Sequence, residues 1–306
     1  MQTTLRSPVT FKGQGLHSGR PAILTLHPAP ANHGVQFLRR DVALGIGAVP
    51  ARFDAVNQSP LCTRLQNTHG VSVSTVEHLM AALAGCGVHN VRAELDGPEI
   101  PILDGSAAPF VRGIFKAGIK PLNAELRAIR VLRPVSVARG EATAALAPHD
   151  RMHIDFHIDF DDAAIGTQER SLSLANGAFA RVLSDSRTFC RQAEVEAMRE
   201  QGLALGGTYE NAVVVDGDKV LSPGGLRHDD EAVRHKMLDA LGDLALAGLP
   251  ILGRYTGYRA GHALTNDLLR ALFADPANFE IVTCDVETAS RLPGSGLHLS
   301  DIPQVA

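Results

Sequence analysis

The sequence predicts a chain of mixed helices and strands in two units, and three observations carry that prediction. Strand-like and helix-like periodic segments are mixed along its whole length. Its 306 residues give room for about two ordinary domains. The periodic pattern lapses around 120–125 and then restarts with strands, which places a junction there. A hydrophobic content of 45% against 20% charged residues is that of a soluble globular protein with a substantial core. The 33 acidic and 29 basic residues include no basic block, so a nucleic-acid footprint is missing. No run reaches the roughly 18 apolar residues of a membrane span, and the first twenty hold no signal-peptide core. Cys62, Cys86, Cys190 and Cys284 form no CxxC pair and no framework spacing. Free thiols in a reducing cytoplasm are the simplest account, and a cytoplasmic protein is expected.

Residues 1 to about 70 read as short strands broken by turns, including the glycine-flanked stretch 13–19 (GQGLHSG) and the Pro-rich 27–34. His17 is either a polar turn residue there or part of a site. GQG opens no strand–helix dinucleotide unit, so it is not a nucleotide fingerprint. Residues 72–85 read as a helix: Ser74 and Glu77 have capping-box spacing, Val76, Leu79, Met80 and Leu83 form the buried row, and Gly85 ends it. Glu77 and His78 fall off that row. They are a cap and its polar neighbour, or a proton-handling carboxylate and a metal ligand. A helix N-terminus disfavours imidazolium and leaves a neutral lone pair. Residues 90–95 suit a strand and 109–119 another helix. Asp104 is a turn residue or the orienter of a ligand histidine.

In the second half, 152–160 alternates strictly, with Ile154, Phe156, Ile158 and Phe160 on one face. His153 and His157 imitate a metal pair, but four strand residues hold them about 13 Å apart. Thr188 sits in a polar turn, followed by a helix at 193–201, the Gly206-Gly207 break and a strand at 211–215. Val195, Met198 and Leu203 line an apolar groove or pack a core. The most informative stretch is 231–244. Val233, Met237, Ala240, Leu241 and Leu244 share one helical face, and Asp229, Asp230 and Glu231 suit its N-terminus. On the other side His235 and Asp239 lie four apart, with Asp243 one turn further. An imidazole and a carboxylate so spaced can reach one metal ion, and N/O ligands suit zinc. Alone, the pair is more often a solvated pair on a surface helix. Residues 251–258 read as a strand, 261–273 as a helix with His262 at its entrance, and 291–306 as a loosely held tail.

TVEHLMAALAG, PEIPILDGSAAPF, SRTF, RHKMLDALGDL and GHAL, in that order, resemble the UDP-3-O-acyl-N-acetylglucosamine deacetylases of lipid A biosynthesis. The resemblance spans nearly the whole chain and outweighs the surface-pair reading. It implies an α+β fold of two similar two-layer sandwich domains, each a sheet packed on helices with a small insert. The expected bounds are 1–124, carrying Glu77 and His78; 125–285, carrying His235, Asp239 and His262; and a tail at 286–306. It implies one catalytic zinc held by His78, His235 and Asp239, with a position left for water. Glu77 matches the family's general base. His262 matches the protonated residue that steadies the oxyanion or protonates the leaving amine, and Asp243 its carboxylate partner. Thr188 matches the hydroxyl assigned to the tetrahedral intermediate's oxygen, and Lys236 a substrate-contacting cation. Asp104 falls at the corresponding position of the DGSAAP motif.

By position, an insert at about 190–220 shelters the acyl chain, with Phe189, Val195, Met198 and Gly207 as passage residues. Arg191 and Gln192 depart there from the apolar side chains usual in the family. The implied activity is removal of acetate from UDP-3-O-(3-hydroxyacyl)-N-acetylglucosamine, the committed step of lipid A biosynthesis in Gram-negative bacteria. A monomer without a nucleic-acid partner or transmembrane segment is expected. A zinc deacylase for another N-acyl sugar would share the metal chemistry and differ only in acyl-chain and nucleotide dependence. A non-catalytic binding protein for nucleotide sugars or acyl chains would need neither Glu77 nor His262. The H-E-x-x-H motif is missing and Glu77-His78 reverses its order, so a metalloprotease is poorly supported.

Overall fold

Two sheets face outward and the helices lie between them. The structure, a computed structural model, describes residues 1–59 and 61–303. The first sheet has five strands in the order Val9–Gln14, Pro21–Pro28, Val91–Leu95, Val35–Arg39 and Ala48–Pro50, antiparallel except for the 35–39/91–95 pair. Ala22, Leu24 and Leu26 point inward on alternate positions. They help cover helices α1 (Glu77–Gly85) and α2 (Ala108–Ala117), and Phe110 of α2 meets Phe11 edge to face at 5.0 Å.

The second sheet has seven strands built around Ile251–Tyr258, paired antiparallel with Ala142–Ala147 and parallel with Met152–Asp159. Met152, Ile154, Phe156 and Ile158 are buried and the residues between them are not, as the strict alternation predicts. His153 and His157 sit on the outer face, where His153 meets Ser171 and His157 stacks on Tyr258. A three-stranded sheet (Phe189–Arg191, Val213–Asp216, Lys219–Val220) carries the exposed helix α3 (Gln192–Glu200). Helices α4 (Glu231–Leu244) and α5 (His262–Ala274) then pack on the second sheet.

Helices α1 and α4 lie back to back, so the layers run sheet, α1 with α2, α4 with α5, sheet. This is an α+β fold of two sheet-on-helix sandwiches whose cores merge into one cluster, from Leu24 and Phe110 to Met237, Ile154 and Tyr255. At Gly242 the two helices approach too closely for a side chain. A Cβ there would lie 2.1 Å from the Glu77 carbonyl oxygen and 3.1 Å from the Ala81 nitrogen, so only hydrogen fits.

Two expectations change. Helix α1 begins at Glu77, not at 72, because Thr75 stands at φ 59° and breaks the helical path. Residues Ser72–Val73 instead pair with Leu65–Gln66, and the capping box does not form. Gly85 ends α1 as expected, and a Cβ there would meet the Phe179 ring at 2.0 Å. The tail is seated rather than loose: Leu292 and Ile302 are buried, and Asp301 pairs with Arg181 at 2.8 Å. Residues 304–306 fall outside the described residues.

Gly242→Ala tests the crossing. Helix propensity alone favours alanine by about 1 kcal/mol, yet overpacking against a backbone carbonyl is expected to leave a net loss of about 1–3 kcal/mol. Urea denaturation showing net stabilisation would contradict so close an approach.

Candidate metal centre

The helix crossing brings His78, from the first turn of α1, to His235 and Asp239 on α4. Asp239 Oδ1 lies 3.4 Å from His235 Nε2 and 3.6 Å from His78 Nε2. One donor atom from each residue falls within 4.8 Å of the others, and all three side chains are buried. The two imidazoles meet edge to face at 4.9 Å between centroids. Asp239 Oδ1 has no hydrogen-bond partner among the described residues. A buried carboxylate oxygen left unpartnered between two imidazole nitrogens is an arrangement that a cation completes.

Protonation suits that role. Burial, helped by His235, pushes the His78 imidazole down to about 3, so its lone pair is free. Burial also lowers His235, whose Nδ1 donates to the Ser186 carbonyl at 3.0 Å and leaves Nε2 for a metal. Burial works against ionised Asp239, yet His235, Lys236 and His262 hold it below the usual carboxylate range. Three N/O donors of this kind could hold a divalent metal ion with a coordination position to spare.

Beside them lies a coupled carboxyl–imidazole pair. Glu77 Oε1 is 3.8 Å from His262 Nε2, and Glu77 Oε2 accepts the Thr63 N–H at 3.0 Å. Burial pushes the Glu77 carboxyl up; His262 opposes this, Asp239 and Asp243 add to it, and it settles at about 8. His262 opens α5, with Nδ1 donating to Asp243 Oδ2 at 2.8 Å. Burial would lower His262, but Asp243 and then Glu77 raise it to about 9. Asp243 Oδ1 in turn accepts the Thr63 hydroxyl at 2.5 Å. Thr63 thus steadies both carboxylates. Sequence reasoning missed it, since a single threonine in a turn-rich stretch carries no spacing signal.

The other expected residues divide. Lys236 donates to Asp239 Oδ2 at 2.9 Å. Asp104 orients no ligand histidine: it caps its own turn at Ser106 and pairs with Arg227 at 3.1 Å, while the Ser186 carbonyl orients His235. Glu231, expected to suit the helix terminus, accepts from the Arg187 backbone and guanidinium and so anchors the SRTF segment. Thr188 is pinned within that segment, its N–H on the Gly105 carbonyl at 2.8 Å and its carbonyl on the Val213 N–H at 2.7 Å. Thr188, Phe189, Val195, Met198 and Gly207 all line one cavity of about 210 Å³. The His17 ring lines it too, with neither nitrogen partnered among the described residues. The Phe189 ring also lies edge-on to His235, 6.3 Å between centroids, so the cavity adjoins the His78, His235 and Asp239 group. Of the two polar departures, Gln192 faces the cavity while Arg191 turns away to Asp162.

The family model described as UDP-3-O-acyl N-acetylglycosamine deacetylase matches residues 2–274. A protein from Idiomarina loihiensis named UDP-3-O-acyl-N-acetylglucosamine deacetylase is 48% identical over 291 residues, 94% of this chain and 95% of its own length. Relatives of the same name from Phenylobacterium zucineum and Pasteurella multocida are 47% and 46% identical, covering 92% and 94% of this chain and 96% and 95% of their own. The chain belongs to the UDP-3-O-acyl N-acetylglycosamine deacetylase family. No helix among the described residues is long and apolar enough to cross a membrane.

Asp239→Ala removes the carboxylate that both imidazoles share. Zinc affinity, measured by equilibrium dialysis, is expected to fall by at least about 100-fold; unchanged affinity would contradict the three-residue site.

Proposed function

We propose that the protein is a zinc-dependent deacetylase. It hydrolyses the N-acetyl amide of UDP-3-O-(3-hydroxyacyl)-N-acetylglucosamine to acetate and the free amine, the committed step of lipid A biosynthesis. One observation carries the reading: the Glu77–His262 pair stands beside the His78, His235 and Asp239 donor set, next to an apolar cavity. A protein that only bound the nucleotide sugar would have no use for a proton-transfer pair there.

The chemistry that zinc supplies when bound is Lewis acidity, which polarises the amide carbonyl and makes water nucleophilic near neutral pH. The protein's own groups move the protons. Glu77 accepts one from the attacking water, and a nearby dication favours its ionised form. His262, kept protonated by Asp243, gives a proton to the amine nitrogen as the C–N bond breaks. The Thr188 hydroxyl meets the oxygen on which charge develops, and Lys236 contacts the substrate. Phe189, Val195, Met198 and Gly207 receive the acyl chain. The protein works as a cytoplasmic monomer, which fits a site built from a single chain and four free cysteines.

Metal-stripped protein is expected to release no acetate from this substrate until one equivalent of zinc is restored, and little from an analogue lacking the 3-O-acyl chain. Stoichiometric zinc binding without turnover would refute the activity. Glu77→Ala is expected to keep its zinc while kcat falls about 10²–10⁴-fold; loss of zinc would refute the base assignment. His262 must be protonated to act, and Asp243 raises its pKa. The alkaline limb of the pH–rate profile should therefore move to lower pH in Asp243→Asn. A limb that stays in place would detach Asp243 from the acid.

A further inference from the structure

The glycine-flanked loop at 13–19 closes around one buried carboxylate. Glu99 is 3% exposed; its Oε1 accepts the His17 N–H at 2.8 Å and the Thr75 hydroxyl at 3.0 Å, and its Oε2 accepts the Ser18 N–H at 2.8 Å. A Cβ on Gly15 would stand 2.2 Å from Oε2, so the loop can approach the carboxylate only with glycine there. The backbone follows the same seam. Segment 98–102 runs between Ser74, through Ser74 N–H to Pro98 O at 2.9 Å and Ile100 N–H to Ser74 O at 3.1 Å, and Gln14, whose carbonyl accepts the Ile102 N–H at 2.9 Å.

The two sides of this seam lead to different parts of the site. Thr75 holds φ 59°, rare for a β-branched residue, and stands just ahead of Val76 and Glu77. Its hydroxyl is fixed by Glu99, so the entry to α1 is set from outside the helix. On the other side, the loop puts the His17 ring into the wall of the cavity that also holds Thr188 and Phe189. We infer that Glu99 is a positioning residue: its single carboxylate locks the kinked entry to α1, and with it Glu77, to the loop that walls the substrate cavity. A carboxylate can accept on both oxygens at once. A glutamine amide offers one acceptor oxygen and turns an NH₂ toward one of the donors.

This inference rests on the base role given to Glu77, and the variants separate the two. Glu99→Gln is expected to keep stoichiometric zinc while kcat falls at least about 10-fold, since small displacements of a reacting group are costly, and KM rises as the loop loosens. Thr75→Val removes only the hydroxyl and should lower kcat at unchanged KM, with Thr75→Ser restoring it. Gly15→Ala should act chiefly on KM. In the Glu99→Gln/Thr75→Val double variant, kcat should match that of Glu99→Gln alone. Zinc-loaded Glu99→Gln and Thr75→Val with kcat and KM within about twofold of the native protein would overturn the inference. So would a Glu99→Gln that unfolds or loses zinc while Thr75→Val turns over normally, because Glu99 would then be merely structural. Undiminished kcat in Glu77→Ala would instead overturn the base role given to Glu77, whatever Glu99 does.

Discussion

Everything at the site depends on how closely α1 and α4 cross. Neither helix alone carries the three residues that could hold a metal ion. His78 belongs to the first half of the chain and His235 with Asp239 to the second, and they meet only because Gly242 lets the α1 backbone rest against α4. The same contact touches the Glu77 carbonyl, so ligand geometry and the placement of Glu77 share one constraint. The outer sheets supply the apolar mass that holds the helices in contact, and their cores join through the crossing into one cluster.

That crossing buries an unusual amount of charge. Glu77, His78, His235, Asp239 and Asp243 are all shielded from water, where isolated ions are costly. Most of the cost is offset locally: Thr63 serves two carboxylates, Asp243 serves His262, and the Ser186 carbonyl serves His235. Asp239 Oδ1 is buried without a hydrogen-bond donor among the described residues, and it faces both imidazoles. Glu77 and Asp243 each meet hydrogen-bond donors, and Asp239 accepts from Lys236 on Oδ2 alone, so its Oδ1 suits a cation.

Much of the framework was legible in the residues. Period-two alternation marked the buried face of Met152–Asp159, and the four-residue spacing of His235, Asp239 and Asp243 put them on one side of α4. The pattern could not say what that side faces. A polar stripe looks the same whether it meets water or the polar stripe of another helix, and twelve of the fourteen residues of α4 are buried. The start of α1 was misread for a related reason: Ser74 and Glu77 have capping-box spacing, but the left-handed turn at Thr75 is imposed by Glu99, distant in sequence. Thr63, Glu99 and the Arg187–Glu231 pair act through bonds between residues distant in sequence, which leave no periodic trace. The tail was misjudged because two apolar anchors, Leu292 and Ile302, suffice to seat a Pro/Gly-containing segment.

The proposed centre holds one zinc ion between two imidazoles and one carboxylate contributed by both halves of the chain. Zinc K-edge X-ray absorption on protein carrying one equivalent of metal tests it most directly. The expected spectrum shows two imidazole rings and a shell of nitrogen and oxygen only, at about 2.0–2.1 Å. A sulfur scatterer near 2.3 Å, of the kind a cysteine such as Cys62 would supply, would contradict it.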